Sequence, residues 1–219
     1  MQNSNKLYFI LTNSTKGGWF SSAIRFFTRH NLTHGALGVG KVLNEDSIIE
    51  AKEVVTITPF SRLRYSQSTE YWAYELQNVL GETKEYVCNY IFKKYAAKKY
   101  GYLQLLYFLR RYIWETKWVK KLFGWLPALL GKPADVRQWN NWFPSGTICT
   151  ELLWDALNVT ASIENKTDIA AELCKINSNN FHPGDFEKIA LKFPDHLLLI
   201  EKRVLVDGEM ITYTTQTKI

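Results

Sequence analysis

Cys149 stands where a Ser/Gly/Thr turn, Ser145-Gly146-Thr147, runs through Ile148 into the amphipathic stretch Cys149-Thr150-Glu151-Leu152-Leu153. That spacing puts its sulfur in the first turn of a helix, where unpaired N–H groups and the positive end of the helix dipole favour thiolate over thiol. A thiolate so placed is a candidate nucleophile. A plainer reading stands beside it: Cys149 shares a stripe with Leu152, Leu153 and Ala156 and suits a small core position. For Cys88 and Cys174, inside other helical patterns, the core reading is the stronger one. The three cysteines form no C-x-x-C pair, which argues against a disulfide framework and against a cysteine-rich zinc site.

A thiol nucleophile needs a base, and the chain has four histidines. His182, before Pro183 in a polar loop, and His196, after Pro194-Asp195, read as surface positions. His34 opens the run Gly35-Ala36-Leu37-Gly38-Val39-Gly40, whose small residues suit a strand that other elements approach closely. An imidazole starting a buried strand is costly without a polar partner. His30 lies four residues earlier, but a metal pair at that spacing needs a helix, and Asn31-Leu32-Thr33 looks like the end of one. The base must in turn be oriented by a third group. Glu50, a carboxylate in the otherwise apolar Ile48-Ile49-Glu50-Ala51, is the candidate, with Glu53 in reserve and a solvated strand residue as the plain alternative. A simple two-residue turn would not bring His34 and Glu50 together, so their pairing requires a longer or bulged one.

The elements that must position these residues follow from periodicity. Lys6 to Thr12 reads as a strand, Gly18 to Arg29 as a helix, and Gly35–Val42, Ser47–Ala51, Val54–Thr58 and Tyr71–Leu76 as short strands, with a turn at Asn44-Glu45-Asp46. Glu82 to Lys99 carries Val87, Cys88, Ile91, Phe92 and Tyr95 on one helical face, and Gly101 offers a stop. Thr147 to Leu157 and Pro183 to Leu191 are further helices, the latter with proline at its opening. Leu197 to Val206 and Met210 to Thr215, joined by Asp207-Gly208, form a closing hairpin. The expected class is α+β with a mainly antiparallel sheet, in one domain spanning residues 1–219.

Charge is concentrated. Of a net +6, the segment Leu103 to Pro133 carries +5, from Arg110, Arg111, Lys117, Lys120, Lys121 and Lys132 against Glu115. As one helix it would place Leu105, Leu109, Tyr112, Val119, Phe123 and Leu126 on one face, and Arg110, Lys117 and Lys121 opposite. Trp114, Trp118 and Trp125 would flank the boundary, with a break near Gly124 and Pro127. Such a helix suits an anionic membrane surface or an assembly partner, or simply packs with a solvated basic face. Nucleic acid is the weaker partner, because no recognised module accompanies the charge. The apolar run Leu7 to Leu11 is shorter than a signal-peptide core, and lysine or arginine breaks every long apolar run, so neither a Sec-type signal nor a membrane span is expected. The expected location is cytoplasmic or virion-associated.

Together these residues resemble a known family. Thr12-Asn13-Ser14, the helix Ser21 to Thr28 and Thr33-His34-Gly35 look like the opening of the circularly permuted papain-like family. This is the permuted branch of the NlpC-type cysteine peptidases and amidases, also called YiiX-like, related to lecithin:retinol acyltransferase-like enzymes. In that family a histidine comes first, a polar residue follows on the next strand, and the nucleophilic cysteine comes last at a helix start; His34, Glu50 and Cys149 match that order. Gly101-Tyr102 and Pro183-Gly184-Asp185-Phe186 resemble two weaker elements. The family continues Gly-Tyr with Asp, whereas Leu103 stands here and opens the basic segment, which the resemblance makes an insertion. The resemblance covers about residues 6–102 and 140–195. It implies a permuted papain-like fold and a Cys149-His34-Glu50 triad that attacks an amide, ester or thioester through an acyl-enzyme, on a peptidoglycan-type peptide or a lipid acyl substrate, without metal or organic cofactor. A module with a vestigial triad, structural or membrane-associated in a phage or bacterial assembly, is the alternative it leaves open.

Overall fold

Seven strands form one antiparallel sheet in which the N-terminal strand is central: β1 (Leu7–Ser14), β2 (His34–Val42), β3 (Glu45–Ala51), β4 (Val55–Pro59), β5 (Thr69–Leu76), β6 (Leu197–Val206) and β7 (Glu209–Thr214), in the order β4-β3-β2-β1-β5-β6-β7. The structure, a computed structural model, describes residues 7–14, 18–42, 45–51, 54–96, 98–99, 101, 105–139 and 149–215. The fold is α+β. Helices α1 (Trp19–Thr28), α2 (Ser61–Arg64), α3 (Gly81–Tyr95), α4 (Leu105–Glu115), α5 (Lys117–Phe123), α6 (Leu126–Leu129), α7 (Cys149–Ile163), α8 (Thr167–Leu173) and α9 (Pro183–Lys192) accompany it.

β1 is apolar on both faces because both are covered. Leu7, Phe9 and Leu11 point into the larger core, against Leu152, Leu153, Ala156 and Leu157 of α7, Val87 and Ile91 of α3, and Phe186 and Ile189 of α9. Ile10 points the other way, into a smaller core with Ala36, Ile48, Tyr71 and Ala73, closed by Phe60 and by Leu63 of α2. The alternation of a strand thus feeds two cores of unequal size. The Asp207-Gly208 turn joins β6 to β7 with both residues at positive φ, 49° and 88°, as the two-residue hairpin turn with right-handed twist requires.

Several boundaries depart from the sequence reading. α3 ends at Tyr95 rather than Lys99, where Ala96 turns to extended backbone. α7 runs on to Ile163, while Ser145 to Ile148 lie outside the described residues, as do Asn44, Glu53 and Tyr102. α2 and α8, of four and seven residues, span only about one and two turns and are absent from the sequence reading. The basic segment is not one helix broken near Gly124 and Pro127: it breaks first at Thr116, whose backbone is extended and whose hydroxyl donates to the Tyr112 carbonyl. A single wheel therefore does not describe its faces. Arg111, read as part of a surface charge, is 4% exposed, and Arg110 stacks over Tyr107 and Trp139. Tyr112 packs on Phe26 and Phe27 of α1. No helix of the described residues is long and apolar enough to cross a membrane.

Candidate active site

His34 is the first residue of β2, paired with Thr12 of β1 and preceded by a backbone bond from Thr33 N–H to the Thr12 carbonyl. The opening turn of α7 is packed against this strand end. A Cβ on Gly35 would come to 2.7 Å of Leu153 Cδ1 and 3.5 Å of the Cys149 carbonyl oxygen, so glycine here lets Leu153 of the helix seat against the strand without shifting. Cys149 and His34 are brought together there, close enough for the cysteine side chain to act on the imidazole. Cys149 is 4% exposed and lies in the same buried set as Leu152, Leu153 and Ala156. The His34 side chain keeps 24% exposure.

Glu50 reaches His34 through a register irregularity. It pairs with Ala36, and the β2–β3 register shifts between Val39 and Val42. Extending the Val42–Glu45 pairing without that shift would put Glu50 opposite Leu37, on the wrong face, because a one-residue slip inverts every side chain. With the shift, Glu50 and His34 become diagonal neighbours on one face. His34 Nε2 lies 3.8 Å from Glu50 Oε2, an ion-pair distance too long for a hydrogen bond, and Nε2 is buried with no hydrogen-bond partner.

The carboxylate is anchored from its other side. Thr58 Oγ1 donates to Glu50 Oε1 at 2.6 Å, and Arg62 Nη2 donates to both oxygens at 2.6 and 2.9 Å. Glu50 is 1% exposed and therefore not a solvated strand residue. Burial pushes its pKa up, but His34, Thr58 and Arg62 outweigh this and hold it below the usual carboxylate range. Burial likewise pulls His34 down; the negative charge of Cys149, its hydrogen bond, and Glu50 overcome that and raise the imidazole to about 10. Cysteine and carboxylate thus both favour the protonated imidazole.

Sequence reasoning missed Thr58 and Arg62. A buried carboxylate requires a cation, and Arg62 and Arg64 are the first arginines after the following strand, which was the available signal. It also misplaced His182, which is 6% exposed. This histidine caps α9 beneath Phe108 and lies 3.6 Å, through Nδ1, from Asp185 Oδ2. Asp185 receives a bidentate pair from Arg111 at 2.5 and 2.9 Å, so the Pro-Gly-Asp element docks the basic segment onto the body. This second cluster adjoins the first: Thr150 Oγ1, next to Cys149, donates to the Phe181 carbonyl at 2.6 Å.

The remaining candidates are dispersed. His30 Nε2 meets Glu187 at 2.6 Å, and α1 ends at Thr28, so His30 and His34 share no helix. Among the described residues no group of three or more His, Cys, Asp and Glu could hold a metal ion. Cys88 is buried and pushed up to about 12 by that burial and by Glu85; Cys174 is exposed at the end of α8. No protein-family model matches the chain, and no curated protein matches it either.

Proposed function

We propose that the protein is a cysteine hydrolase or acyltransferase of the permuted papain-like kind, acting on an amide, ester or thioester. The observation that carries the reading is the juxtaposition of Cys149, at the start of α7, with the His34 strand end and of His34 with the buried carboxylate of Glu50, 3.8 Å away. Nε2 faces Glu50, which leaves Nδ1 for the sulfur. The thiolate attacks the substrate carbonyl carbon, and the carbonyl electrons move to oxygen, met in part by the backbone N–H of Cys149. Collapse expels the amine, alcohol or thiol, which takes its proton from His34. Water, or an acceptor nucleophile, then returns a proton to His34 and attacks the thioester, releasing the acyl product and the thiolate. Arg62 and Thr58 keep Glu50 ionised and aimed, acting through it as positioning residues. Peptidoglycan-type peptides and lipid acyl groups are the substrate classes the family resemblance favours.

The low exposure of Cys149 favours the competing reading, a non-catalytic module. The two separate in a burst assay with p-nitrophenyl acetate. A hydrolase releases about one equivalent of p-nitrophenol per chain and leaves an acetyl adduct on the Cys149 peptide, both lost in Cys149→Ser and reduced at least about a hundredfold in His34→Ala. No burst, or an adduct on Cys174 alone, overturns the hydrolase reading.

A further inference from the structure

The tip of the basic segment gathers exposed apolar and cationic side chains. Within α5, Val119 is buried, so Trp118, Lys121 and Leu122 turn outward, and Trp125 follows one heptad beyond Trp118. Trp118 is 61% exposed, Leu122 57%, Trp125 60%, Leu129 72% and Leu130 59%. Single exposed apolar side chains are ordinary on a protein surface; six within thirteen consecutive residues, these five and Phe123, two of them tryptophan, are not. Lys117, Lys120 and Lys121 are exposed among them, and no acidic residue occurs from Thr116 to Ala134. The tip is carried on a clamped stalk: α4 is tied to Asp185 through buried Arg111 and packs on α1 through Tyr112.

We propose that the α5–α6 tip is an interfacial anchor for an anionic lipid bilayer. Trp118, Leu122, Trp125, Leu129 and Leu130 enter the boundary between headgroups and acyl chains, and Lys117, Lys120 and Lys121 meet the anionic headgroups. Tryptophan belongs at that boundary because its ring is apolar and its N–H is polar; lysines extend to the headgroups from their aliphatic stems. A cationic rim without acids selects an anionic surface over a neutral one. This goes beyond the thiol reading and needs no part of it.

The test is co-sedimentation of the full chain with vesicles of phosphatidylcholine alone or mixed with phosphatidylserine. Binding is expected at least about tenfold stronger to the anionic vesicles, and weaker as salt shortens the Debye length from about 10 Å at 0.1 M to about 3 Å at 1 M. With each lysine contributing about fivefold near an anionic surface, Lys117→Gln, Lys120→Gln and Lys121→Gln together should weaken it about a hundredfold at low salt. Trp118→Ser with Trp125→Ser should abolish the binding that survives high salt and the vesicle-induced blue shift of tryptophan emission. All five positions are exposed, and unchanged thermal unfolding confirms that the variants are folded. Cys149→Ser should bind as the parent does, which separates this result from that of the burst assay. Absence of binding, equal binding to both vesicle types, binding that the tip variants leave intact, or a tip that instead mediates self-association or nucleic-acid retention overturns the proposal.

Discussion

His34 and His182 are two histidines beside two buried carboxylates at nearly the same distance, 3.8 Å to Glu50 and 3.6 Å to Asp185, and they titrate in opposite directions. Burial lowers both. For His34 that penalty is overcome by the cysteine and by Glu50, and the imidazole rises to about 10; for His182 burial prevails and the value falls to about 3. The difference lies in what else each carboxylate holds. Both oxygens of Asp185 are taken by Arg111, itself buried, and Arg111, Lys188 and His30 add positive charge around His182. Arg62 also grips Glu50, but from a half-exposed position where water screens it, and a second negative group, Cys149, faces the imidazole of His34. A nearby carboxylate therefore holds an imidazolium only when its charge is not already matched by a buried cation. On the proposed function the first cluster moves protons; the second ties the basic segment to the body.

Breaking the clasp should produce the largest effect. Arg111→Met leaves Asp185 buried without its cation and should cost about 3–5 kcal/mol of unfolding free energy, read by urea denaturation. In the same variant His182, now facing an unmatched carboxylate, should titrate well above 3, as followed by NMR. Adding Asp185→Leu should recover most of the stability. A loss below about 1 kcal/mol, in the range of exposed pairs, would mean that the pair is not buried as described.

Glu50→Gln sharpens the other half. The amide holds the geometry but not the charge, so His34 should fall from about 10 while Cys149 continues to hold it above the ordinary histidine value. The alkaline step in the pH dependence of Cys149 alkylation by iodoacetamide, which follows loss of the His34 proton, should move to lower pH by the same amount, each unit being about tenfold in the proton equilibrium. Buried Cys88 serves as the unreactive control within the same chain. An unchanged pH–rate profile would remove Glu50 from its orienting role.

Per pH unit the smallest effects lie in the pH dependence of stability, where the two histidines should give opposite slopes. His34 is raised, so its contribution is complete below about 6.5 and is lost as pH rises through about 10. His182 is depressed: between about 6.5 and 3 the unfolded chain takes a proton that the folded one refuses, so stability declines as pH falls. Each slope is at most about 1.4 kcal/mol per pH unit. His182→Gln should flatten the acid limb of a stability–pH curve and His34→Gln the alkaline limb. Both variants flattening the same limb would contradict the contrast between the clusters.

Local pattern was enough to mark the α+β class, the antiparallel hairpins, the helix that carries Cys149, and three residues of unusual type for their surroundings. Cys149 follows a turn, His34 opens a strand of small residues, and Glu50 interrupts an apolar strand; each is visible because a residue and its immediate neighbours disagree in polarity or position. Two things were not visible. The register shift that puts Glu50 on the face of His34 rather than on that of Leu37 could be stated only as what their pairing would require, because it depends on how two strands pair, and period-two alternation reads identically in either register. The fates of Arg62 and Arg111 depend on partners 12 and 74 residues away, so the same amino acid becomes a half-exposed clamp in one place and a buried clasp in the other. Charge composition counts both as surface cations. Only the packing of α4 against the start of α9 removes Arg111 from water, moving the exposed cationic and apolar groups of the basic segment to its α5–α6 tip. Sequence by itself determined which side chains are available for chemistry. Tertiary structure decided which of them are desolvated together, and desolvation sets the sign of every charge interaction between them.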